Sequence, residues 1–312
     1  MVMDRIIIAG NPDRLPTGIL SLDLALDGGL PLGSLVEIGG KAHAGKTTLA
    51  LQILGQAQRA GQPTVYLCGT RLPPQAYMAT CGIDPQRVHL PAPVDTATLE
   101  KALQAAVRAL EKGAVVVLDP LPAFPTWSEL EGEEYDSGRR FQRPAILDAF
   151  YAIASARLRL KPEGLFVLVN QQRERAGVFF GDPWEPTCRE VTEHFQVSLH
   201  LARIQALKEG GQIIGNRVKV KVKKNSGSTP FQEAEFDIVN HTGPDFYGNL
   251  FEVALDFDLV VKAEGGYFLG GEALGRSQAL ARQRFAELYR NGRGAAIRAA
   301  LPGSALLPEA AA

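Results

Sequence analysis

The sequence predicts an α/β fold in which a mostly parallel sheet carries helices on both faces, followed by an antiparallel extension and a small C-terminal α+β domain. Up to residue 196, short and almost continuously apolar segments alternate with helical patterns, as expected for strands that are buried on both faces. After residue 196, strand-like segments follow one another through short glycine-containing turns, which indicates antiparallel pairing. A glycine-rich stretch at 243–248 then precedes a smaller unit that ends in a helix.

The individual elements follow from this pattern in chain order. Parallel strands are predicted at residues 35–38, 64–67, 114–118 and 165–169, and helices at 47–60, 96–112 and 142–160. The antiparallel strands are predicted at 197–204, 217–223 and 235–239, and the last helix at 277–289. We therefore expect a short N-terminal segment (1–16), a core domain (17–242), a C-terminal domain (243–302) and a tail (303–312).

Composition limits the classes of function. The 312 residues include 33 Lys and Arg against 34 Asp and Glu, so overall basicity cannot drive nucleic-acid binding, although a local basic surface could. Three scattered cysteines are too few for a disulfide framework or a cysteine-rich zinc site and suit a reducing compartment. No stretch has the length of a targeting or membrane-spanning segment. We expect a cytoplasmic protein without membrane partners.

The most specific motif is a complete phosphate-binding loop between a predicted strand and a predicted helix. Such a glycine-rich turn lets backbone N–H groups and the helix N-terminus face a phosphate chain. Lys46 is expected to bridge the terminal phosphates and Thr47 to place its hydroxyl on Mg²⁺. An ordinary glycine turn before a helix is the alternative. The expected ATP-binding residues are Gly40, Lys41, Ala42, His43, Ala44, Gly45, Lys46, Thr47 and Thr48.

A second phosphate-site element is an acidic residue at the end of an apolar strand. Asp119 follows Val115-Val116-Val117-Leu118, and a buried strand would deliver its carboxylate to the sheet edge where the phosphates lie. There it could bind the Mg²⁺ shell. An acid in this position can instead cap a turn or a helix. The motif favours the metal role.

Several further stretches form a recognisable series along the chain. They are Thr17-Gly18-Ile19-Leu20-Ser21-Leu22-Asp23, Gly28-Gly29-Leu30-Pro31-Leu32-Gly33, Glu129-Leu130-Glu131-Gly132-Glu133, Asp136-Ser137, Val169-Asn170-Gln171, Gly177-Val178-Phe179-Phe180-Gly181-Asp182-Pro183, Pro230-Phe231-Gln232-Glu233-Ala234-Glu235-Phe236 and Phe246-Tyr247-Gly248. Together they resemble the bacterial RecA recombinase family, in family order from about residue 16 to about residue 290. The resemblance implies an ATPase core, ATP held between subunits, single-stranded DNA in a filament groove, and homologous strand exchange.

Around the nucleotide, the sequence both follows and departs from the family. The resemblance implies that Tyr77 stacks on adenine, with core packing as the alternative, and that Gln171 senses the γ-phosphate, with strand capping as the alternative. The family's water-activating glutamate falls at Thr70, within a stretch (68–74) that has no carboxylate. Because a hydroxyl is a far weaker base, we expect ATP binding with weak or absent hydrolysis. Whether the chain is an enzyme stays open.

The two loops that the resemblance assigns to DNA are also altered. In the first, five acidic residues within 128–136 precede the arginines, which could attract phosphates or merely be solvated. In the second, an aromatic residue could stack on bases. The expected DNA-binding residues are Arg139, Arg140, Arg143, Arg173, Arg175 and Phe180.

Two features of the sequence affect how subunits could assemble: a row of basic residues on one strand and the short segment that precedes the core. Arg217, Lys219, Lys221 and Lys223 alternate with valines, so they share one strand face, which could simply be a solvent-facing edge strand. Of two lysines by which the family reaches a neighbour's ATP, Lys224 is present and Ser226 replaces the other. About 16 residues precede the core, with prolines that disfavour a long docking helix, so standard filaments are in doubt.

The leading hypothesis is a RecA-like protein that binds ATP, Mg²⁺ and single-stranded DNA and has an accessory role in recombination or repair. It would form a homo-oligomer or assemble with a recombinase or a repair polymerase. The first alternative is a RecA-like interaction module that regulates a repair or translesion polymerase. The second is a working recombinase that recruits a carboxylate from elsewhere, such as Glu37 or the acidic loop.

Overall fold

The computed structural model describes residues 13–131, 142–174, 184–186, 194–303 and 306. The strands are β1 (Arg14–Leu15), β2 (Leu30–Pro31), β3 (Leu35–Gly40), β4 (Thr64–Cys68), β5 (Val88–His89), β6 (Val115–Asp119), β7 (Leu165–Val169), β8 (Gln172–Glu174), β9 (Trp184–Pro186), β10 (Val197–Glu209), β11 (Gln212–Asn225), β12 (Glu233–Val239), β13 (Gly243–Pro244), β14 (Val260–Ala263), β15 (Gly266–Leu269) and β16 (Glu272–Gly275).

The α-helices are α1 (Leu20–Ala25), α2 (Lys46–Arg59), α3 (Gln75–Thr80), α4 (Leu99–Leu110), α5 (Trp127–Leu130), α6 (Gln142–Leu160), α7 (Phe246–Asp256), α8 (Gln278–Leu288) and α9 (Gly294–Ala300). Short 3₁₀ segments lie at Pro93–Thr96 and Leu121–Ala123, and a π-helical turn at Tyr289–Arg293 follows α8. Within the described ranges, no helix is both long enough and apolar enough to cross a membrane.

Nine strands form the central sheet in the order β13-β12-β11-β10-β3-β7-β6-β4-β5. The six strands from β10 to β5 run parallel, and β10 to β13 pair antiparallel in sequence. This arrangement confirms the predicted α/β class with an antiparallel extension. The order also places the phosphate-loop strand, β3, in the middle of the sheet between β10 and β7.

Helices cover both faces of the sheet, which explains the near-continuous apolar strands. On one face α2 packs Leu49, Ile53 and neighbouring side chains against Val36 and Ile38 of β3. On the other face α4 and α6 pack against a second buried cluster that includes Phe166 of β7. Complete burial of one such leucine or phenylalanine side chain stabilises the fold by about 1.5–3 kcal/mol. Successive residues of a central strand are therefore mostly apolar, regardless of the face they occupy.

Three predicted boundaries were wrong by three residues or more. Helix α4 begins at Leu99 rather than at residue 96, because the Thr98 side chain accepts a hydrogen bond from the Lys101 N–H and caps the helix. Strands β10 and β11 extend well beyond residues 204 and 217 into a hairpin that turns at Gly210-Gly211. The outer part of this hairpin is largely exposed, so it lacks the apolar pattern that marked the buried part.

The C-terminal part has a third buried cluster. Helices α7 and α8 pack on the β14-β15-β16 sheet through Phe251, Phe285 and Tyr267, whose rings contact one another edge-on or tilted. Leu20 of α1 joins this cluster. The separate core is in keeping with the expected α+β unit. The domain boundaries themselves stay a prediction.

Candidate nucleotide-binding site

The parallel strands bring the predicted nucleotide residues to one edge of the sheet. Strands β3, β7, β6 and β4 are neighbours and run in the same direction, so their carboxyl ends lie side by side. The phosphate loop follows β3, Gln171 follows β7, Asp119 ends β6, and Thr70 lies just past β4. This is the edge at which α/β sheets place ligands.

The loop after β3 has the backbone that the motif requires. Gly45, at the N-cap of the 14-residue helix α2, adopts φ 88° and ψ 13° in the left-handed region. Gly40 has φ 146°, and a Cβ built there would lie 2.3 Å from the Leu201 carbonyl oxygen. Only glycine fits such positions without strain. The N-terminus of α2 therefore faces the loop with its unpaired N–H groups and a favourable dipole for anions.

Lys46 is buried and its ammonium lies within the loop. Its Nζ donates to the carbonyl oxygen of Gly40 at 2.9 Å and to that of Lys41 at 2.6 Å. Burial lowers the pKa of Lys46, and the charge of Asp119 opposes this shift. The ammonium thus already lies at the start of α2, where a terminal phosphate could replace the two carbonyls as its partner.

Asp119 meets the requirements of a magnesium-site carboxylate. It is 2% exposed, and it accepts a hydrogen bond from the Tyr66 hydroxyl at 3.0 Å. Burial raises the pKa of Asp119, while the nearby Thr47 and Tyr66 hydroxyls and the charge of Lys46 act in the opposite direction. A hydroxyl and a carboxylate oxygen side by side are the hard ligands that Mg²⁺ prefers, with phosphate oxygens and water completing the shell.

A hydrogen bond joins the side chains of Tyr77 and Thr48, two of the predicted ATP-binding residues. The Tyr77 hydroxyl and the Thr48 Oγ1 are 2.6 Å apart, which ties α3 to the first turn of α2. The half-buried Tyr77 ring also packs against the buried cluster that contains α2. Adenine stacking on this ring stays a prediction.

The position of the expected general base carries no carboxylate in the structure either. Thr70 is exposed in the turn after β4, and the Cys68 thiol lies 3.5 Å from its carbonyl oxygen. The Gly69 N–H bonds to the Asp119 carbonyl, which keeps this turn against the end of β6. A base at Thr70 would therefore lie at the same sheet edge as Asp119, but a threonine cannot supply it.

Gln171 lies where β7 ends. Its backbone N–H donates to the Asn170 Oδ1 at 2.9 Å, and the Asn170 Nδ2 donates to Glu37 at 3.1 Å. Glu37 also accepts from the Ser198 hydroxyl at 2.8 Å and is 4% exposed. Glu37 is thus held inside the sheet with both carboxylate oxygens occupied.

The predicted DNA-binding residues are only partly described. Arg139, Arg140, Arg175 and Phe180 lie outside the described residues. Arg173 is in β8, which pairs with β9. Arg143 donates to the Phe124 carbonyl at 2.9 Å and to Glu129 at 2.7 Å, so its guanidinium holds the start of α6 against α5. In this structure Arg143 connects two helices, and its role in DNA binding stays a prediction.

The basic row on β11 does not lie on an edge strand, because β12 pairs along it. Lys219 and Lys221 both pair with Glu233, and Arg217 pairs with Glu235 and Glu252. The solvent-facing edge interpretation was therefore wrong in its topology, and cross-strand acids offset much of the positive charge. Lys224 lies opposite Ser198, near the end of the same strand.

Sequence reasoning missed the residues that hold these side chains in place. Tyr66 stands in an apolar strand, where nothing in the local pattern separates it from a core residue. Glu37 was visible as the one acid in the strand 35–38, but its partners come from β7 and β10. Only pairing of distant strands shows what either residue does.

Comparison with known proteins agrees with this geometry. The model of the RecA N-terminal domain matches residues 9–245. Protein RecA of Acidothermus cellulolyticus is 36% identical over 274 residues, covering 86% of this chain and 78% of that protein. Protein RecA of Clostridium acetobutylicum is 34% identical over 281 residues, covering 89% and 79%.

A solved structure shows the same fold. The crystal structure of the RadB recombinase superposes with a TM-score of 0.55 at 21% identity and covers 74% of this chain and 98% of that one. At such identity the likeness concerns architecture alone. The family-model match and the identities to RecA proteins, taken with the phosphate loop and Asp119 at one sheet edge, decide the family. The chain belongs to the RecA family.

Proposed function

We propose that this protein binds Mg²⁺-ATP and single-stranded DNA in the cytoplasm and serves recombination or repair in an accessory role, with slow or absent ATP hydrolysis. The observation that carries the proposal is the combination of an intact phosphate loop with Thr70 at the position of the expected base. The chain keeps what is needed to hold the nucleotide and lacks the group that would activate water.

Three features of the phosphate loop support nucleotide binding. Lys46 is buried at the start of α2, the Thr47 side chain lies against Asp119, and Gly45 opens the helix in a conformation that suits glycine. In the proposed complex Lys46 pairs with the terminal phosphates, Thr47 and Asp119 hold Mg²⁺, Tyr77 lies against the adenine, and Gln171 contacts the γ-phosphate. Lys224 would reach the nucleotide of a neighbouring subunit.

The buried position of Glu37 also supports slow hydrolysis. A substitute base would need a free carboxylate oxygen directed at the attacking water. Both oxygens of Glu37 accept hydrogen bonds from Asn170 and Ser198 in the interior. Loss of general-base assistance is worth about 10²–10⁴ in rate.

Nucleotide binding and phosphate release by the purified protein test this proposal. We expect saturable, Mg²⁺-dependent ATP binding that Lys46→Met abolishes and that Lys112→Met, at an exposed lysine, leaves unchanged. Phosphate release should remain at background with or without single-stranded DNA. Turnover at the rate of an active recombinase would overturn the accessory role, and absence of binding would overturn the nucleotide site.

DNA binding and assembly need their own measurement. We expect single-stranded DNA to bind with a steep salt dependence, because phosphate contacts release counterions. Arg173→Ala with Arg175→Ala should weaken binding more than Arg108→Ala with Arg159→Ala, which removes two arginines far from the second loop in sequence. Electron microscopy with a non-hydrolysable ATP analogue distinguishes filaments, rings and monomers. Strand exchange would favour an active recombinase, and absence of DNA binding would favour an interaction module.

A further inference from the structure

Glu37 carries a buried carboxylate outside the phosphate loop. It lies in the middle of β3, directly across from Leu168 of β7 and from Ser198 of β10. An ionisable group in such a position is costly to bury unless its hydrogen bonds are satisfied. Glu37 meets this condition with one bond on each side, to Asn170 at 3.1 Å and to Ser198 at 2.8 Å.

The bond to Glu37 fixes the orientation of the Asn170 amide. Because a carboxylate accepts and does not donate, the Nδ2 of Asn170 has to point toward Glu37. The Oδ1 then points the other way and accepts the backbone N–H of Gln171 at 2.9 Å. The Asn170 N–H itself donates to the Ile38 carbonyl, which continues the pairing of β7 with β3. Glu37 therefore determines, through one amide, where the chain leaves β7.

A small cavity lined by several polar residues lies beside this network. Its volume is about 40 Å³, enough to admit water. It is lined by Glu37, Asn170, Gln172, Ser198, His200 and Lys223 among others. The buried Oε1 of Gln172 has no hydrogen-bond partner among the described residues. The residues on either side of Gln171, Asn170 and Gln172, therefore both line a cavity that also contains the Glu37 side chain.

We propose that Glu37 is a positioning residue for Gln171: by fixing the Asn170 amide it holds Gln171 in place for the terminal phosphate of a bound nucleotide. This inference rests on the proposed nucleotide site. The carboxylate does not touch the nucleotide, and its effect passes through Asn170. It follows that Glu37 contributes to the preference for a triphosphate over a diphosphate, and contributes little to the affinity shared by both.

The test compares the affinities of a non-hydrolysable ATP analogue and of ADP in matched variants. Glu37→Met keeps the unbranched shape but removes the acceptor, so we expect the triphosphate preference to fall about tenfold while ADP affinity is kept. Glu37→Gln keeps an acceptor for Asn170 and should restore most of the preference. Ser198→Ala removes the other bond to Glu37 but leaves the bond to Asn170 in place, so it should lower the preference less than Glu37→Met does. Thermal unfolding of each variant checks that it is folded.

A double-variant cycle separates positioning from general stabilisation. Gln171→Ala should itself lower the triphosphate preference about tenfold, and adding Glu37→Met should lower it no further. Equal losses of ATP and ADP affinity in folded Glu37→Met, or additive losses in the double variant, would overturn the inference. An unchanged preference in folded Glu37→Met would do the same. If the unaltered protein binds neither nucleotide, the proposed function fails instead, and the two failures are distinct.

Discussion

The Tyr66 hydroxyl donates a 3.0 Å hydrogen bond to Oδ2 of Asp119 across the β4–β6 pair, and both side chains are almost completely buried. The Thr47 hydroxyl, at the start of α2, lowers the pKa of the same carboxyl group, as the Tyr66 hydroxyl does. One of these hydroxyls belongs to the core and the other to the first turn of α2. The orientation of the carboxylate that we assign to Mg²⁺ is therefore set by a tyrosine that lies outside the phosphate loop.

Tyr66→Phe should shift the pH range of Mg²⁺-dependent nucleotide binding upward. The bond from Tyr66 lowers the pKa of Asp119 against the raising effect of burial, so its loss lets that pKa rise further. A protonated Asp119 cannot hold Mg²⁺. A hydrogen bond to a charged group is worth about 1.5–3 kcal/mol, which is about one to two pH units. Nucleotide titrations with Mg²⁺ across the acidic range measure the shift.

The control for this variant is Tyr267→Phe, which removes a hydroxyl from β15 of the C-terminal sheet. It should leave the pH dependence of nucleotide binding unchanged. If Tyr66→Phe and Tyr267→Phe give the same curve as the unaltered protein, the hydrogen bond has no part in holding the metal-site carboxylate.

Thr70→Glu should raise ATP hydrolysis by about 10²–10⁴. Thr70 is exposed in the turn that follows β4, and the neighbouring Gly69 is bonded to the Asp119 carbonyl, so a carboxylate there would lie at the sheet edge that we propose for the nucleotide. Thr70→Gln has the same length without a base and should stay at background. Phosphate release measures both. Rapid hydrolysis by the unaltered protein, or equal rates in the two variants, contradicts the assignment.

Asp23 should make the protein less stable as pH rises toward neutrality. Burial raises the pKa of Asp23 from 3.8 to about 7, against opposing hydrogen bonds from Thr17 and Gly18. Between these values the folded chain holds a proton that the unfolded chain releases, so its stabilising contribution is complete below pH 3.8 and is lost by about pH 7. The full effect is at most about 4 kcal/mol.

Asp23→Asn removes this titration, since its amide oxygen can still accept from Thr17. The difference in unfolding free energy between the variant and the unaltered protein should therefore grow in favour of the variant from pH 4 to pH 7. Denaturant melts at several pH values measure it, with the exposed Asp95→Asn as control. A pH-independent difference would show that Asp23 does not titrate in this range.

Asp237→Ala should destabilise the protein by about 3 kcal/mol. Asp237 is 2% exposed and accepts from Arg282 at 2.9 Å, and its other oxygen lies 3.6 Å from Arg217. Its removal takes one acidic partner away from both Arg217 and Arg282, which then keep Glu252 as a shared partner. Glu287→Ala breaks the exposed pair with Arg284 and should cost less than about 1 kcal/mol. Equal effects in chemical denaturation would contradict the buried role.

The main strands and helices of the core could be predicted from the sequence, because strands buried on both faces are mostly apolar and the helices between them are amphipathic. Short elements such as α1, α3 and β5 were not predicted. Helix α6 begins and ends where predicted, whereas α4 begins three residues later because Thr98 caps it. The exposed part of the β10–β11 hairpin could not be predicted, since its residues bury little and leave no apolar pattern.

For the site, the motif alone predicts Lys46 and Thr47 as phosphate and magnesium residues, because phosphate binding needs a fixed local spacing of glycines, lysine and hydroxyl. The sequence by itself also determined the absence of a carboxylate at Thr70. Only the tertiary structure decided that Tyr66 holds Asp119 and that Glu37 holds Asn170, because each pair joins strands that are far apart in the chain. The spacing of residues within a motif can be read from the sequence because it is local. A hydrogen bond between two strands depends on which strands become neighbours in the sheet, and only the folded structure shows that.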